Sequence, residues 1–298
     1  MSEEKNRLLE KISENITEIP TLPKMVTRIL DMMDDPDTKI ETIADTLLQD
    51  KVLTTRIIRL VNSVFFGIQR DVSSVKDAIV YLGQNQIKNI VLTSSLFSVF
   101  PNRNQKFDLV RLWEHGLGCA LISRIVAVMA GYNDPEKAYL GGLLHDMGEI
   151  VLSQYYQDEF DKVLDTVIKE HVEFHVAEQR MLGIDHSDLA GLFKEHWGFS
   201  DDITEVIAFH HRPQEATIDP CLVSIVSIAN MFCKVRGLDY GYVLDIQVAM
   251  KDQADWKILS ENNKKLAHLD MERFTLSMDH KVEEVKTLVK SLYNKNEE

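Results

Sequence analysis

The sequence has few cysteines and few prolines, three and seven in 298 residues, and it lacks any Gly/Pro-rich or low-complexity stretch. Cys119, Cys221 and Cys233 show no CxxC spacing and are odd in number, which is typical of reduced, mostly buried thiols rather than of a disulfide framework. Hydrophobic residues make up 45% of the chain. The chain is therefore long and apolar enough for one large domain or two smaller ones, with disorder expected only at the ends.

Segments that would direct the chain to or across a membrane are also missing. The first ten residues, MSEEKNRLLE, are polar and acidic, unlike a signal peptide. The most apolar stretch, around 221–233, is short and is interrupted by Ser and Asn, so it is not expected to span a bilayer. We therefore expect a cytoplasmic protein with no membrane segment.

Basic residues are outnumbered along the whole sequence. The chain has 47 Asp and Glu against 33 Lys and Arg, a formal net charge of −14. Such a chain repels a phosphate backbone and an anionic lipid surface. The composition therefore argues against general binding of nucleic acid or membranes.

Hydrophobic residues recur with helical spacing, and no stretch alternates long enough to predict a strand. Ser74 with Asp77 resembles a capping box before an apolar stripe, and Gly83 is expected to end that helix. Asp134-Pro135 supplies an N-cap and a first-turn proline for a later helix. The sequence predicts an all-α fold.

The adjacent pair His145-Asp146 is the strongest candidate for chemistry. It follows an apolar helical run, and one helix is predicted to extend through it to Val151. Adjacent side chains on a helix point about 100° apart, so both reach one metal most easily near a helix end or break. Gly148 is predicted to provide that break.

Further histidines offer candidate ligands at scattered positions: His115, His186, His210 and His211. Imidazoles with one or two carboxylates suit Zn, Fe, Mn or Ni better than Ca or Mg, which prefer oxygen ligands. The frame HVEFH at 171–175 has its acid one place too late for HExxH, so we assign His171 and His175 to a solvated helix face. His196, His268 and His280 are expected to serve packing or helix ends.

An ordered set of short motifs between about residues 19 and 230 carries a resemblance to a known family. The set comprises Leu22-Pro23, Asp50, the run 60–67 (LVNSVFFG), Ser73-Ser74-Val75, Ala78-Ile79, Leu82-Gly83, Leu112-Trp113 with His115, 140–152, Asp185-His186 with Gly191, Trp197-Gly198 and His210-His211-Arg212-Pro213. The chain resembles the HDOD family, bacterial signalling relatives of HD-superfamily metal phosphohydrolases and of HD-GYP domains.

This resemblance implies an N-terminal helical bundle packed on an HD-like helical bundle. The HDOD domain is expected at 19–235, with an N-terminal subdomain at 19–105 and an HD-like subdomain at 106–235. Residues 1–18 would form an N-terminal helical extension and 236–298 a C-terminal one. The resemblance also implies a regulatory role beside response regulators, cyclic-dinucleotide modules or chemotaxis modules, which here would be separate proteins.

The resemblance assigns His115, His145, Asp146, His186, His210 and His211 to positions that hold metal or phosphate in HD phosphohydrolases or HD-GYP domains. Of these, His115, His145 and Asp146 are the predicted metal ligands. Two departures matter. Glu149 stands where HD-GYP enzymes carry a lysine, and a carboxylate there would repel a phosphate. Asn230 occupies the expected place of the closing aspartate, and an amide is a poorer ligand.

Two functions are consistent with these observations. The first is a non-catalytic signalling module in which the His/Asp cluster, with Glu149 and Asn230, keeps a buried polar network or a pocket for a small ligand or metal. The second is a metal-dependent phosphohydrolase or phosphodiesterase in which Glu149 acts as a ligand or base. Within the LVNSVFFG run, Gly67 is predicted to adopt a positive φ and to end the helix that carries Asn62.

Overall fold

The computed structural model describes residue 12 and residues 23–63, 68, 71–100, 106–240, 253–262 and 271–293. Within these ranges the regular elements are α-helices and two 3₁₀ turns, with no strand. The all-α prediction is confirmed. The chain divides into two compact units: residues 20–101 with 283–298, called the N-terminal unit, and residues 1–19 with 102–282, called the second unit. The predicted domain limits, 19–235 with a division at 105, stay predictions.

Five helices make up the described part of the N-terminal unit. They are α1 (Lys24–Asp34), α2 (Ile40–Leu47), α3 (Lys51–Val61), α4 (Val75–Leu82) and α5 (Gln84–Val99). The core of this unit contains Ile29, Ile43, Leu47 and Ile57, each fully buried. Ile29 lies on the predicted stripe of α1, and Leu47 lies on the stripe predicted for α2. Burial of these apolar stripes is what holds the short helices together.

Local signals set the ends of α4. The Ser74 hydroxyl accepts a hydrogen bond from the backbone N–H of Asp77, three residues further along the chain, and satisfies one of the free donors of the first turn. Gly83 ends the helix with φ of 83°, a conformation that side chains with a Cβ rarely adopt. Both sequence predictions for this helix are confirmed.

Asn62 closes the connection between α3 and α4. Its side-chain amide donates to the Val72 carbonyl at 2.8 Å, and its carbonyl oxygen accepts from the Val72 N–H at 2.7 Å. The side chain thus pairs with the backbone of Val72 in both directions and fixes the two ends of the loop. Gly67, for which a positive φ was predicted, lies outside the described residues.

Replacement of Asn62 should destabilise the N-terminal unit. Asn62→Ala removes two hydrogen bonds and is expected to lower the free energy of unfolding by about 1–2 kcal/mol, measured by urea denaturation. Asn62→Asp, which keeps the acceptor but loses the amide donor, should give a smaller loss. An unchanged midpoint for Asn62→Ala would show that the pairing with Val72 contributes nothing to stability.

The second unit contains nine further helices and the first part of a tenth. They are α6 (Leu109–Ala130), α7 (Pro135–Leu144), α8 (Met147–Tyr155), α9 (Gln157–Glu170), α10 (Phe174–Leu182), α11 (Ala190–Trp197), α12 (Asp201–Phe209), α13 (Pro220–Val235), α14 (Ala254–Asn262) and α15 (Met271–Tyr293), which continues into the N-terminal unit. The 3₁₀ turns are His186–Leu189 and Pro213–Glu215.

Helix α6 runs through the core of the second unit. Among the described helices it is long and apolar enough to cross a membrane, and 72% of its most apolar window is buried inside the unit. That burial accounts for its composition, because a helix buried on all sides is apolar all round. Helix α7 packs closely on it: a Cβ added to Gly142 would lie 2.6 Å from the Cys119 carbonyl oxygen.

The predicted single helix through His145-Asp146 is in fact two helices. α7 ends at Leu144 and α8 begins at Met147, so the pair itself forms the break. The prediction that Gly148 provides the break was wrong by two residues, because Gly148 lies inside the first turn of α8. The break turns both side chains toward the interior of the second unit, where the site is formed.

Candidate functional site

Five buried side chains from separate elements of the second unit meet at one place. His115 comes from α6, His145 and Asp146 from the break between α7 and α8, His186 from the first 3₁₀ turn, and His210 from the end of α12. Their exposed fractions are 0%, 0%, 5%, 2% and 1%, respectively. We call these five residues the centre. The structure thus brings together residues that the sequence separates by up to 95 positions.

Each imidazole of the centre is fixed through its Nδ1 atom. For three of the rings the partner is a backbone carbonyl, which can only accept, so Nδ1 carries the proton. The fourth ring, His186, faces a carboxylate. The pairs are His115 with Leu238 O at 2.6 Å, His145 with Gly142 O at 2.8 Å, His210 with Ile207 O at 3.0 Å and His186 with Glu178 Oε2 at 2.7 Å. In the neutral rings, Nε2 is therefore a free lone pair.

All four Nε2 atoms point at the carboxylate of Asp146. Oδ2 lies 3.4 Å from His115 and 3.0 Å from His145, and Oδ1 lies 3.2 Å from both His186 and His210. Lone pairs that face a carboxylate repel it unless a cation lies between them. A ring that donates Nδ1–H to a carbonyl or carboxylate and presents Nε2 inward is the usual arrangement of a metal-binding histidine. These residues therefore fit a divalent metal ion.

In the metal-free protein a proton on His186 partly supplies that positive charge. Burial opposes it, but the charges of Glu178 and Glu149 and a hydrogen bond with Asp146 raise the pKa of His186 well above its usual value. Burial lowers the pKa of His145 to about 4, so that ring is neutral. Burial of Asp146 is outweighed by the surrounding imidazoles, which hold its pKa well below the usual range. Asp146 is thus an anion that awaits a cation.

Glu149 is fully buried and lies against His186, with its Oε1 3.2 Å from Nδ1. Burial and the negative charge of Glu178 raise the pKa of Glu149 well above its usual value, so its carboxyl holds a proton in the metal-free protein. The sequence argument, in which an anionic Glu149 repels an incoming phosphate, was therefore wrong about the charge. The position nevertheless lacks the cation that a lysine would supply.

His211 continues the centre toward the surface. Its Nε2 lies 3.1 Å from Nε2 of His186, and its ring stacks on His175 with the centroids 4.0 Å apart. Assignment of His175 to a solvated helix face was wrong: the ring is half-buried and Nδ1 is buried without a hydrogen-bond partner. His171 is exposed as predicted, and it ends α9 with a left-handed φ of 54°.

Asn230 is placed differently from the other predicted residues. It is buried in α13, and its Oδ1 atom has no hydrogen-bond partner. Among the described residues no hydrogen bond or ion pair joins it to Asp146. Its proposed place beside the metal therefore stays a prediction.

Several residues that contact the centre were missed by sequence reasoning: Cys119, Glu178, Lys234, Leu238 and Tyr240. Cys119 Sγ lies 3.4 Å from His115 Nε2, and its position four residues after His115 was the one available signal. Lys234 pairs with Glu173 at 3.3 Å. The charges of Glu173 and Asp146 outweigh burial and raise the pKa of Lys234.

Tyr240 closes the centre from the chain that follows α13. Its hydroxyl donates a hydrogen bond to Asp146 Oδ2, and its ring packs edge-on against His115 with the centroids 5.1 Å apart. Phe107 and Phe174 contact the same ring. The side chain is 6% exposed. Burial and the charge of Asp146 raise the pKa of Tyr240 well above its usual value, so the hydroxyl keeps its proton.

Gly148 allows α8 to approach the turn that carries His186. A Cβ at this position would lie 2.1 Å from the His186 carbonyl oxygen, closer than any real contact. Glycine is therefore required here by the packing of two backbones, and not by an unusual φ. The close approach sets the distance between Asp146, at the start of α8, and His186.

Gly148→Ala should displace the turn and disrupt the centre. We expect a loss of several kcal/mol in the free energy of unfolding, in the range of overpacking strain, together with loss of metal binding. Gly191→Ala is the matched control: a Cβ there meets nothing within 4 Å, so stability should be unchanged or raised by about 0.5–1 kcal/mol. Thermal unfolding and metal titration of both variants measure the difference; equal behaviour would disprove the packing argument.

A helical bundle that buries an adjacent His-Asp pair among further histidines defines a protein of the HD type, related to HD phosphohydrolases. The family model that matches the chain is the HDOD domain, over residues 19–213. The chain belongs to the HDOD domain family. The resemblance inferred from the sequence is thereby confirmed.

Solved structures show the same fold. An HDOD domain protein of unknown function from Geobacter sulfurreducens is 28% identical, with a TM-score of 0.81 over 95% of this chain and 97% of that one. A candidate phosphohydrolase from Shewanella amazonensis SB2B has a TM-score of 0.72 at 22% identity, over 94% of this chain and 97% of that one. A candidate signal transduction protein from Marinobacter aquaeolei VT8 has a TM-score of 0.72 at 20% identity, over 97% and 64%.

A curated relative extends beyond the length of this chain. An uncharacterised protein from Treponema pallidum is 25% identical over 241 residues, which are 78% of this chain and 45% of that protein. The chain therefore spans less than half the length of this relative. The activity of the longer protein does not transfer to this chain.

Proposed function

We propose that this chain is a regulatory module of the HDOD type whose buried centre binds a divalent metal and does not hydrolyse phosphate esters. The observation that carries this proposal is the closure of the centre by Tyr240. The side chains of a catalytic metal site leave one position open for water or substrate, whereas structural sites are closed. Here Tyr240 donates to Asp146 Oδ2 and is walled in by Phe107 and Phe174.

The charges around the centre also favour a regulatory role. A phosphate ester needs a free cation beside the metal, and Glu149 supplies only a buried, protonated carboxyl there. Lys234 carries a positive charge near the centre, but Glu173 neutralises it at 3.3 Å. A substrate phosphate would thus meet a buried site whose nearby cation is already paired.

A metal-dependent phosphohydrolase is the second candidate, and one observation favours it. Asp146, His186, His210 and His211 each offer a ligand atom, all within 4.8 Å of one another. A metal bound there would polarise a phosphoryl group and lower the pKa of a bound water. This candidate requires Tyr240 to leave Asp146 before a substrate enters.

The partners of the module are part of the proposal. We infer that it acts in the cytoplasm on separate signalling proteins, such as response regulators, cyclic-dinucleotide modules or chemotaxis modules, and not on nucleic acid or membranes. The net charge of −14 supports the exclusion of polyanionic partners. The metal would be Zn, Fe, Mn or Ni, the ions that histidine with carboxylate favours.

Metal analysis combined with hydrolysis assays tests this function. Protein purified without chelator is expected to contain a divalent metal that Asp146→Asn removes, because the amide loses the charge that holds the cation. No turnover of p-nitrophenyl phosphate, bis(p-nitrophenyl) phosphate or cyclic dinucleotides is expected. His171→Asn is the matched control, since it removes an exposed imidazole and asparagine tolerates its left-handed backbone. Turnover that Asp146→Asn abolishes would establish the phosphohydrolase instead.

Replacement of Tyr240 tests the closure itself. Tyr240→Phe removes a hydrogen bond to a charged carboxylate, worth about 1.5–3 kcal/mol, with which a metal must compete. Metal affinity measured by calorimetry should therefore rise by roughly tenfold. Tyr132→Phe is the control, because its hydroxyl bonds Asp219 and not the centre. Weaker binding by Tyr240→Phe would mean that Tyr240 is a ligand and does not close the site.

A further inference from the structure

We propose that Cys119 is a metal ligand of the centre, a thiolate that joins His115, His145 and Asp146 and selects zinc, ferrous iron or cobalt over manganese and magnesium. This inference rests on the proposed metal binding and names the class of metal. The sequence lacks the closing aspartate expected beside this group, with Asn230 in its place. Cys119 supplies the fourth donor from a different helix, one turn beyond His115 on α6.

The geometry of the four donor atoms supports this assignment. Cys119 Sγ lies 3.4 Å from His115 Nε2, and the Nε2 atoms of His115 and His145 are 3.4 Å apart. Asp146 Oδ2 lies 3.4 Å and 3.0 Å from those two nitrogens. Ligands at about 2.0–2.3 Å from a tetrahedral zinc are separated from each other by about 3.3–3.6 Å. The four measured separations lie near that range before any metal is bound.

The packing of two helices holds Cys119 in this position. Helix α7 approaches α6 at Cys119 itself, where a Cβ on Gly142 would lie 2.6 Å from the Cys119 carbonyl oxygen. Gly142 also provides the carbonyl that orients His145. One close contact therefore brings the thiol on α6 and the imidazole after α7 to the same place. Cys119 is fully buried, as expected in a closed metal site.

Binding releases one proton and requires no redox partner. In the metal-free protein, burial and Cys233 raise the pKa of the Cys119 thiol well above its usual value, so sulfur carries its proton. A bound dication stabilises the thiolate: the metal–sulfur bond forms and the thiol proton passes to solvent. Cys233 remains a hydrogen-bonding neighbour of this thiol.

The sulfur ligand determines which metals the centre prefers. Thiolate and imidazole suit zinc, iron and cobalt, whereas manganese and magnesium favour oxygen ligands. His186 and His210 remain on the other carboxylate oxygen, Oδ1. Asp146 therefore has one oxygen toward the sulfur-containing group and the other toward a group of imidazoles.

Cobalt spectroscopy tests the ligand directly and does not depend on any activity. Metal-free full-length protein titrated with Co²⁺ is expected to develop a near-ultraviolet thiolate-to-cobalt charge-transfer band. Cys119→Ser should lose that band, and its zinc affinity should fall by at least the about 10–100-fold that loss of an outer ligand partner costs. Manganese affinity, in contrast, should change little. Cys221→Ser, which removes a half-buried thiol outside the centre, should behave as the unmodified protein.

Each alternative result has a definite meaning. Cobalt uptake without the band, or a band that survives in Cys119→Ser, would overturn the ligand assignment and leave the proposed function intact. A protein that takes up no Co²⁺ or Zn²⁺ would overturn both. Cys119→Ala is measured alongside, and the circular dichroism spectrum and thermal midpoint of each metal-free variant show whether it is folded. A folded Cys119→Ala with unchanged zinc affinity would also disprove the assignment.

Discussion

The convergence of four imidazole lone pairs on one carboxylate is the constraint on which the second unit depends. Backbone carbonyls and Glu178 fix the Nδ1 sides of the rings, so the Nε2 sides must face Asp146. Such an arrangement is unfavourable in a dry interior without a cation. Helix packing imposes it nonetheless: α7 lies close on α6, and α8 lies close on the turn of His186.

The burial of this group decides between its two chemical uses. Open metal sites accept water and substrate, whereas a closed site holds its ion and transmits only its presence or absence. In this chain the aromatic ring of Tyr240 and the apolar core of α6 surround the carboxylate. The family therefore retains the ligands of an HD site in a setting where metal binding and catalysis can be separated.

Local patterns in the sequence predicted much of the fold but less of the site. The ends of α4 and the start of α7 were predictable because Ser74, Gly83 and Asp134-Pro135 act on their own neighbours. His145-Asp146 was identifiable as a pair. Contacts between distant segments leave no such spacing, so neither the hydrogen bond from Tyr240 nor the pairing of His186 with Glu178 could be inferred. The charge of Glu149 was misjudged because burial and a second carboxylate control it.

The carbonyl of Leu238 and the hydroxyl of Tyr240 lie beyond residue 213, where the match to the family model ends. The region that defines family membership is therefore not sufficient to assemble the inner coordination environment, since two of its supports come from the tail. Evolution can vary that tail independently of the shared pattern. Related modules with the same histidines can thus differ in ion affinity because their tails differ.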